Sequence, residues 1–189
     1  MSTADFALLR SINTPVDLRT HPGLPADPAV RLAVVELLAV ASGTAGMAGG
    51  QALDLAAEGR ELTLAEVERL HAMKTGALIR ASVLMAARCR PGLGRDEYES
   101  LSRFGAVVGL AFQIQDDILD VEGDVAVIGK VPGSDRARGM PTYPAVAGID
   151  AARARVHDLH VEAMQLLSRH GWQRGPLASV SDWLLTRNR

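Results

Sequence analysis

The chain has 189 residues, of which 48% are hydrophobic and 22% charged, and its formal net charge is −2. This near-neutral charge argues against a nucleic-acid-binding protein, which normally carries a basic surface. The single cysteine, Cys89, excludes an internal disulfide and a cysteine-built metal site, so we expect a reducing, cytoplasmic location.

The first predicted helix follows Asp27 and Pro28, a pair that suits an N-cap and a first helical turn. We predict that it runs from about Ala29 to Ala45 and ends in the glycines of GTAGMAGGQ, which we expect to serve close packing between helices. The apolar segment here is interrupted by Glu36 and by glycines, and it is too short to span a bilayer. The sequence therefore predicts no membrane span.

Capping boxes mark the starts of the next two predicted helices. In such a box an acid three residues after Ser, Thr or Asp helps to satisfy the free N–H groups of the first turn. Thr63 and Glu66 begin a helix that continues to Pro91, and Asp96 and Glu99 begin one that extends through DILDV.

A long loop rich in glycine and proline, EGDVAVIGKVPGSDRARGMP, follows, and loops of this length in compact domains are often functional. We then predict a short helix in YPAVAGI, a long helix capped by Asp150, and a last helix that ends in SDWLLTRNR. Aromatic residues are only 4% of the chain and strand-like alternation is nearly absent. The prediction is one all-α domain over residues 1–189.

Three acids in the run FQIQDDILD stand near the end of an apolar helix: Asp116, Asp117 and Asp120. Spacings of three and four residues predict that they share one helix face. The helix dipole opposes negative charge at this end, and close carboxylates repel one another unless a cation lies between them. Oxygen ligands without cysteine or histidine suit Mg²⁺ or Mn²⁺ rather than zinc. The alternative interpretation is a solvated helix end.

Lysine is rare in this arginine-rich chain, and the only two are Lys74 and Lys130. Mg²⁺ on carboxylates is usually completed by substrate phosphates, which compact ammonium groups can bind. Lys74 precedes Thr75 and Gly76 inside a predicted helix, where glycine is unfavourable unless a ligand or a backbone approaches closely. Lys130 lies in the loop after the acids. Chance retention of surface lysines is the alternative.

These motifs resemble the polyprenyl diphosphate synthase family, in particular short-chain trans-prenyltransferases such as bacterial farnesyl and geranyl diphosphate synthases. GMAGGQALDL, HAMKTGALI, GLAFQIQDDILD, IGKVPGSD and PTYPA occur in the family's order with similar spacing. The resemblance extends from about Phe6 to the C-terminus. It implies an isoprenoid (terpenoid) synthase type helical bundle around a central cavity.

The resemblance implies roles for the acids and the lysines. Asp116, Asp117 and Asp120 match the family's second aspartate-rich motif, which binds the Mg²⁺ that holds an allylic diphosphate, such as dimethylallyl or geranyl diphosphate. Lys74 and Lys130 match lysines that bind that diphosphate. In the implied reaction the diphosphate departs with metal help, the double bond of isopentenyl diphosphate attacks the allylic cation, and a proton is lost.

Other matched positions are polar. Thr75 and Gln113 match residues near the reacting allylic carbon, and Gln51 and Arg138 are further site candidates. Met140 stands where the family usually has a lysine before TYP, and Arg138 is the residue that would compensate. The family is typically dimeric, so the resemblance also implies a homodimer.

The family's first aspartate-rich motif and its basic N-terminal isopentenyl diphosphate site have no match, since Asp116–Asp117 is the only adjacent aspartate pair in this sequence. We therefore expect an N-terminally truncated chain that lacks the N-terminal helices and corresponds to the C-terminal part of a polyprenyl synthase. It would retain mainly the allylic-diphosphate half of the site. The alternative is a non-catalytic helical subunit or a degenerate fragment that needs a partner for the first motif.

Overall fold

The computed structural model describes residues 23–122 and 142–186, and the regular structure in these ranges is entirely helical. In chain order the helices are α1 (Pro28–Ser42), α2 (Met47–Ala57), α3 (Leu64–His71), α4 (Ala77–Arg88), α5 (Arg95–Glu122), α6 (Tyr143–Ala147), α7 (Ile149–Ser168) and α8 (Pro176–Thr186). A π-helical segment, Ala72–Gly76, joins α3 to α4. The prediction of an all-α fold is confirmed.

Helix α5 lies at the centre of the core. Its residues Phe104, Val107, Ala111, Ile114 and Ile118 alternate by three and four positions and are at most 4% exposed. They form one cluster with buried side chains of α7. Burial of a large apolar side chain contributes about 1.5–3 kcal/mol, so this stripe fixes the helix that carries the acids.

Glycines bring the helices around α5 into backbone contact. A Cβ added to Gly109 would lie 2.7 Å from Cα of Gly76, and a Cβ added to Gly50 would lie 2.3 Å from the backbone nitrogen of Lys74. Any larger residue at Gly50 or Gly109 would therefore push two backbones apart. This confirms close packing between helices for Gly50 of GMAGGQ. A Cβ added to Gly76 would meet no atom of the described residues nearer than 3.5 Å, so the close approach of a backbone does not account for glycine at that position.

The predicted starts of α1 and α3 are confirmed. Asp27 caps α1, because its carboxylate accepts a hydrogen bond from the N–H of Ala29 at 2.8 Å. Thr63 and Glu66 form the predicted capping box, in which the N–H of Thr63 donates to the Glu66 carboxylate at 2.8 Å. Both starts depend on residues adjacent in sequence, which is why the pattern sufficed to predict them.

The predicted capping box at the start of α5 is wrong. The helix begins at Arg95, and the carboxylate of Glu97 accepts a hydrogen bond from the N–H of Gly94 at 2.7 Å. Glu99 instead accepts a hydrogen bond from the Arg95 side chain at 2.8 Å. The cap therefore lies two residues earlier than the sequence pattern suggested.

Two further sequence expectations are corrected. Asp150 does not cap α7, because that helix begins at Ile149 and Gly148 occupies the cap position with φ of 86°. The glycines after α1 do not end the helical structure, because α2 runs through them from Met47 to Ala57. Its contact with the π-helical segment supplies the packing that offsets the weak helix propensity of glycine.

The stretch Pro28–Ala57 is apolar and long enough to cross a membrane when judged by length and composition alone. In the structure it is two helices, α1 and α2, separated by residues 43–46. Several of its large apolar side chains are exposed, including Leu32 at 65%, Val40 at 57% and Leu55 at 64%. The described residues leave this apolar surface uncovered.

Candidate diphosphate and metal site

The π-helical segment carries two of the predicted site residues, Lys74 and Thr75. The sequence predicted an uninterrupted helix here, and the wider π turn was not foreseen. Such turns are rare and occur frequently at functional sites. The segment lies between α2 and α5, in contact with both helices.

Lys74 is paired with a carboxylate of α2. Its ammonium donates to Asp54, which is 6% exposed, whereas 33% of the Lys74 side chain is exposed. The buried carboxylate is thereby neutralised, and the lysine is held at the edge of the core. Sequence reasoning missed Asp54. The available signal was its position four residues after Gly50, which puts both residues on the helix face that contacts the lysine.

Thr75 and Gln113 meet, although 38 positions separate them in the chain. The hydroxyl of Thr75 donates to Oε1 of Gln113 at 2.8 Å, and Nε2 of Gln113 donates to Oδ1 of Asp117 at 3.4 Å. The structure therefore brings the KTG and QDD motifs together through a short series of hydrogen bonds. Both side chains are partly exposed.

Asp117 lies in the core and joins three elements. It is 5% exposed, and its Oδ2 accepts a hydrogen bond from the backbone N–H of Tyr143 at 2.7 Å. The same oxygen lies 3.4 Å from Nε2 of His71, which is itself 4% exposed. We call His71, Asp117 and the N–H of Tyr143 the buried anchor. Sequence reasoning missed its histidine, which precedes the KTG motif by three residues.

The histidine of the anchor is neutral at physiological pH. Burial in apolar surroundings, together with the positive charge of Lys74, lowers the pKa of His71 to about 4. Burial therefore outweighs the nearby Asp117 carboxylate, which would favour the charged ring. A neutral ring has one N–H, and Asp117 can only accept, so the proton belongs on Nε2. Nδ1 has no hydrogen-bond partner within the described ranges. This agrees with a proton on Nε2, because an unprotonated Nδ1 has no hydrogen to donate.

The three predicted metal-binding acids do not share one environment. Asp116 is exposed and Asp120 is partly exposed, whereas Asp117 faces the core. Successive residues of a helix differ by about 100° in direction, which corrects the expectation that all three acids share a face. Among residues 23–122 and 142–186, no group of three His, Cys, Asp or Glu side chains is arranged to hold a metal ion. The assignment of these acids to Mg²⁺ stays a prediction.

The remaining candidates are more distant from this network or are not described. Gln51 lies exposed on α2 and takes no part in the hydrogen bonds given above. Lys130 and Arg138 lie outside the described residues, as does Met140. Their predicted roles stay predictions.

Clefts of about 310 and 540 Å³ flank α4. The first lies between α1 and α4, and the second lies between α4, α5 and the α7–α8 connection. Neither is lined by any of the predicted site residues. They are therefore not the expected central cavity.

Comparisons with known proteins agree with the order of the motifs. A family model described as polyprenyl synthetase matches residues 3–168. The chain belongs to this family. It is 45% identical over 162 residues to the farnesyl diphosphate synthase of Escherichia coli strain K12, a match that covers 84% of this chain and 54% of that protein. It is also 45% identical over 138 residues to the farnesyl diphosphate synthase of Geobacillus stearothermophilus, a match that covers 73% of this chain and 46% of that protein. The chain thus spans about half the length of these relatives.

Solved structures show the same fold. An FPP/GFPP synthase from Zymomonas mobilis matches with a TM-score of 0.72 at 34% identity, over 85% of this chain and 52% of that one. A geranyltransferase from Helicobacter pylori, solved with magnesium and isoprenyl diphosphate, matches with a TM-score of 0.72 at 27% identity. This match covers 97% of this chain and 56% of that one. The predicted isoprenoid (terpenoid) synthase type fold is confirmed.

Proposed function

We propose that this chain acts in isoprenoid biosynthesis, in the cytoplasm, as a prenyltransferase of the farnesyl diphosphate synthase type. It would condense an allylic diphosphate with isopentenyl diphosphate. One observation carries the proposal: Thr75, which follows Lys74 in the π-helical segment, donates to Gln113 of α5, and Gln113 donates to Asp117 of the acid motif. Relatives named farnesyl diphosphate synthase support the same reaction.

Magnesium is the metal that we propose for this site, with Mn²⁺ as a substitute. Mg²⁺ is usually held by one or two carboxylates and completed by water and substrate phosphates. Asp116 and Asp120 fit this requirement, because they stand four residues apart on α5 and both reach solvent. Asp117 fits less well, since its buried carboxylate accepts the N–H of Tyr143. The bound ion would offset the negative charge that grows on the departing diphosphate.

The cationic and polar side chains have complementary roles in this proposal. Lys74, held in place by Asp54, presents a fixed positive charge to the diphosphate, and Lys130 is assigned to the same anion by its match to the family motif. The oxygens of Thr75 and Gln113 are assigned to the neighbourhood of the allylic carbon. Dipoles that are already oriented stabilise a developing charge without reorganising during the reaction.

Ligand-dependent melting tests this proposal. Geranyl diphosphate with Mg²⁺ is expected to raise the melting temperature of the chain, and neither component alone should give the full shift. Asp116→Ala should abolish the shift. Asp96→Ala, an exposed acid at the other end of α5, is the matched control and should retain it. An unchanged melting temperature in the unmodified chain would contradict the proposed function.

We also propose that the protein pairs with a second copy through α1. The support is the exposure of Leu32 and Val40 and the adjoining cleft of about 310 Å³ between α1 and α4. Light scattering should give the mass of a dimer for the unmodified chain, and Leu32→Glu should shift it toward that of a monomer. Val180→Glu, at an exposed apolar residue of α8, should leave the mass unchanged. A monomeric mass for the unmodified chain would contradict this pairing.

A further inference from the structure

We propose that Asp117 and His71 are positioning residues rather than ligands of metal or substrate, and that their contact holds the π-helical segment against α5. The inference rests on the proposed function in one respect, namely that the segment presents Lys74 and Thr75 to an allylic diphosphate. It gives the two adjacent aspartates different roles: Asp116 is a ligand, and Asp117 is a positioning residue. The contact between Asp117 and His71 can be tested without any ligand.

Burial argues against Asp117 as a metal ligand. Mg²⁺ keeps several of its waters when it binds proteins, and a carboxylate that is 5% exposed leaves them little room. Its Oδ2 already accepts the N–H of Tyr143 at 2.7 Å and lies 3.4 Å from Nε2 of His71. The argument from burial does not apply to Asp116, which is exposed.

The position of His71 shows what the contact holds. His71 is the last residue of α3, directly before the π-helical segment, and Lys74 and Thr75 follow it by three and four residues. At the other end of the segment, Gly76 packs against the backbone of Gly109. The segment is therefore attached to α5 at both ends, by the 3.4 Å contact of His71 with Asp117 at one and by backbone contact at the other.

The anchor also includes the start of α6. Tyr143 is the first residue of that helix, is 3% exposed, and donates its backbone N–H to Asp117. One buried carboxylate thus joins α3, α5 and α6. A change at Asp117 is expected to loosen the surroundings of the site, and a change at Asp116 is expected to remove a ligand.

The first experiment compares Asp117→Asn with Asp116→Asn, which remove the same charge from adjacent positions. The readout is the Mg²⁺ concentration that gives half of the melting-temperature shift with saturating geranyl diphosphate. We expect Asp116→Asn to raise this concentration at least about tenfold, the effect of losing one charged ligand. Asp117→Asn should change it less than about threefold while lowering the melting temperature of the unliganded chain by about 5 °C. An equal rise for both variants would overturn the proposal.

The second experiment uses the histidine and needs no ligand. His71→Gln keeps an N–H near the position of Nε2, whereas His71→Leu removes it. We expect His71→Leu to lower the unliganded melting temperature by about 5 °C and His71→Gln to restore at least half of that loss. Equal losses in the two variants would overturn the assigned hydrogen bond.

The tautomer of His71 gives an independent measurement in the same chain. Long-range proton–nitrogen NMR should show a neutral ring protonated at Nε2, assigned by its disappearance in His71→Gln. A ring protonated only at Nδ1, with no proton on Nε2 to face Asp117, would overturn the proposal. If geranyl diphosphate and Mg²⁺ fail to shift the unmodified chain, the proposed function fails, but the melting and NMR results still decide the role of the anchor.

Discussion

The exposed and the buried sides of α5 use the same residue type for different purposes. Asp116 is exposed, whereas Asp117, its neighbour, is 5% exposed and accepts the N–H of Tyr143. In solvent a carboxylate is available to a hydrated cation, and in the core it must be satisfied by protein donors. The adjacent aspartates of this motif are therefore not equivalent, and the buried one belongs to the structure that supports the exposed one.

The largest expected effect comes from removing the buried carboxylate. Asp117→Ala leaves the N–H of Tyr143 and the ring of His71 without their acceptor, and we expect it to reduce the free energy of unfolding by about 3 kcal/mol or more. Asp116→Ala is the matched change on the exposed side and should cost within about 0.5 kcal/mol. Urea denaturation of the unliganded variants measures both. Similar values would remove the distinction between the two sides.

Acid should weaken the buried anchor next most strongly. The pKa of His71 in the folded chain is about 4, below its ordinary value of 6.5, so between these values the unfolded chain binds a proton that the folded chain does not. The stability associated with neutral His71 is complete above pH 6.5 and is lost as the pH falls toward 4, by on the order of 2–3 kcal/mol. Within residues 23–122 and 142–186, the charged groups that face the ring are Asp117 of α5 and Lys74 of the π-helical segment.

The measurement is the difference in the free energy of unfolding between the unmodified chain and His71→Gln from pH 7 to pH 4. Subtraction removes the carboxylates that titrate in the same range and lie away from His71, so the difference reports His71 together with its neighbour Asp117. His157→Gln, at an exposed histidine of α7, should leave the pH profile unchanged. A difference that stays constant across this range would show that His71 titrates normally, and the buried side would then lack the neutral histidine assigned to it.

The sequence predicted what depends on local pattern. The Thr63–Glu66 capping box and the three-and-four spacing of the α5 core involve residues close in the chain, so their geometry follows from helix periodicity. The same periodicity could have predicted that Asp117 and Asp116 lie on different sides of α5. Asp117 follows Ile114 by three residues, and Ile114 is fully buried, so Asp117 continues the buried side of α5.

The pairings across the fold could not be predicted from local pattern. Asp54 meets Lys74, and His71 meets Asp117, only because α2, the π-helical segment and α5 pack together. The π turn is likewise a property of packing, since nothing in AMKTG itself disfavours an ordinary helix except the glycine. Helix α2 was missed for the same reason: its glycines are poor helix formers until another backbone lies against them.

The pair of Lys74 and Asp54 should show a smaller and asymmetric effect, because one partner is buried and the other is not. Lys74→Ala leaves a carboxylate that is 6% exposed without its cation, and we expect a loss of about 2 kcal/mol in the free energy of unfolding. Asp54→Asn leaves a lysine that can reach water and should cost about 1 kcal/mol. Urea denaturation of both variants would test this order. The reverse order would show that burial of the carboxylate is not what the lysine offsets.

The smallest expected effect concerns Gly109 of α5, which packs against Gly76, the last residue of the π-helical segment. Gly109→Ala places a Cβ 2.7 Å from Cα of Gly76, so the two backbones must move apart, at a cost of about 1 kcal/mol after relaxation. Gly94→Ala is the control, because its Cβ would lie 3.4 Å from the movable carboxylate of Glu97. If the segment presents Lys74 and Thr75, Gly109→Ala should also weaken the stabilisation by geranyl diphosphate, while Gly94→Ala should not. Loss of stability without loss of ligand response would mean that only the buried anchor positions these side chains.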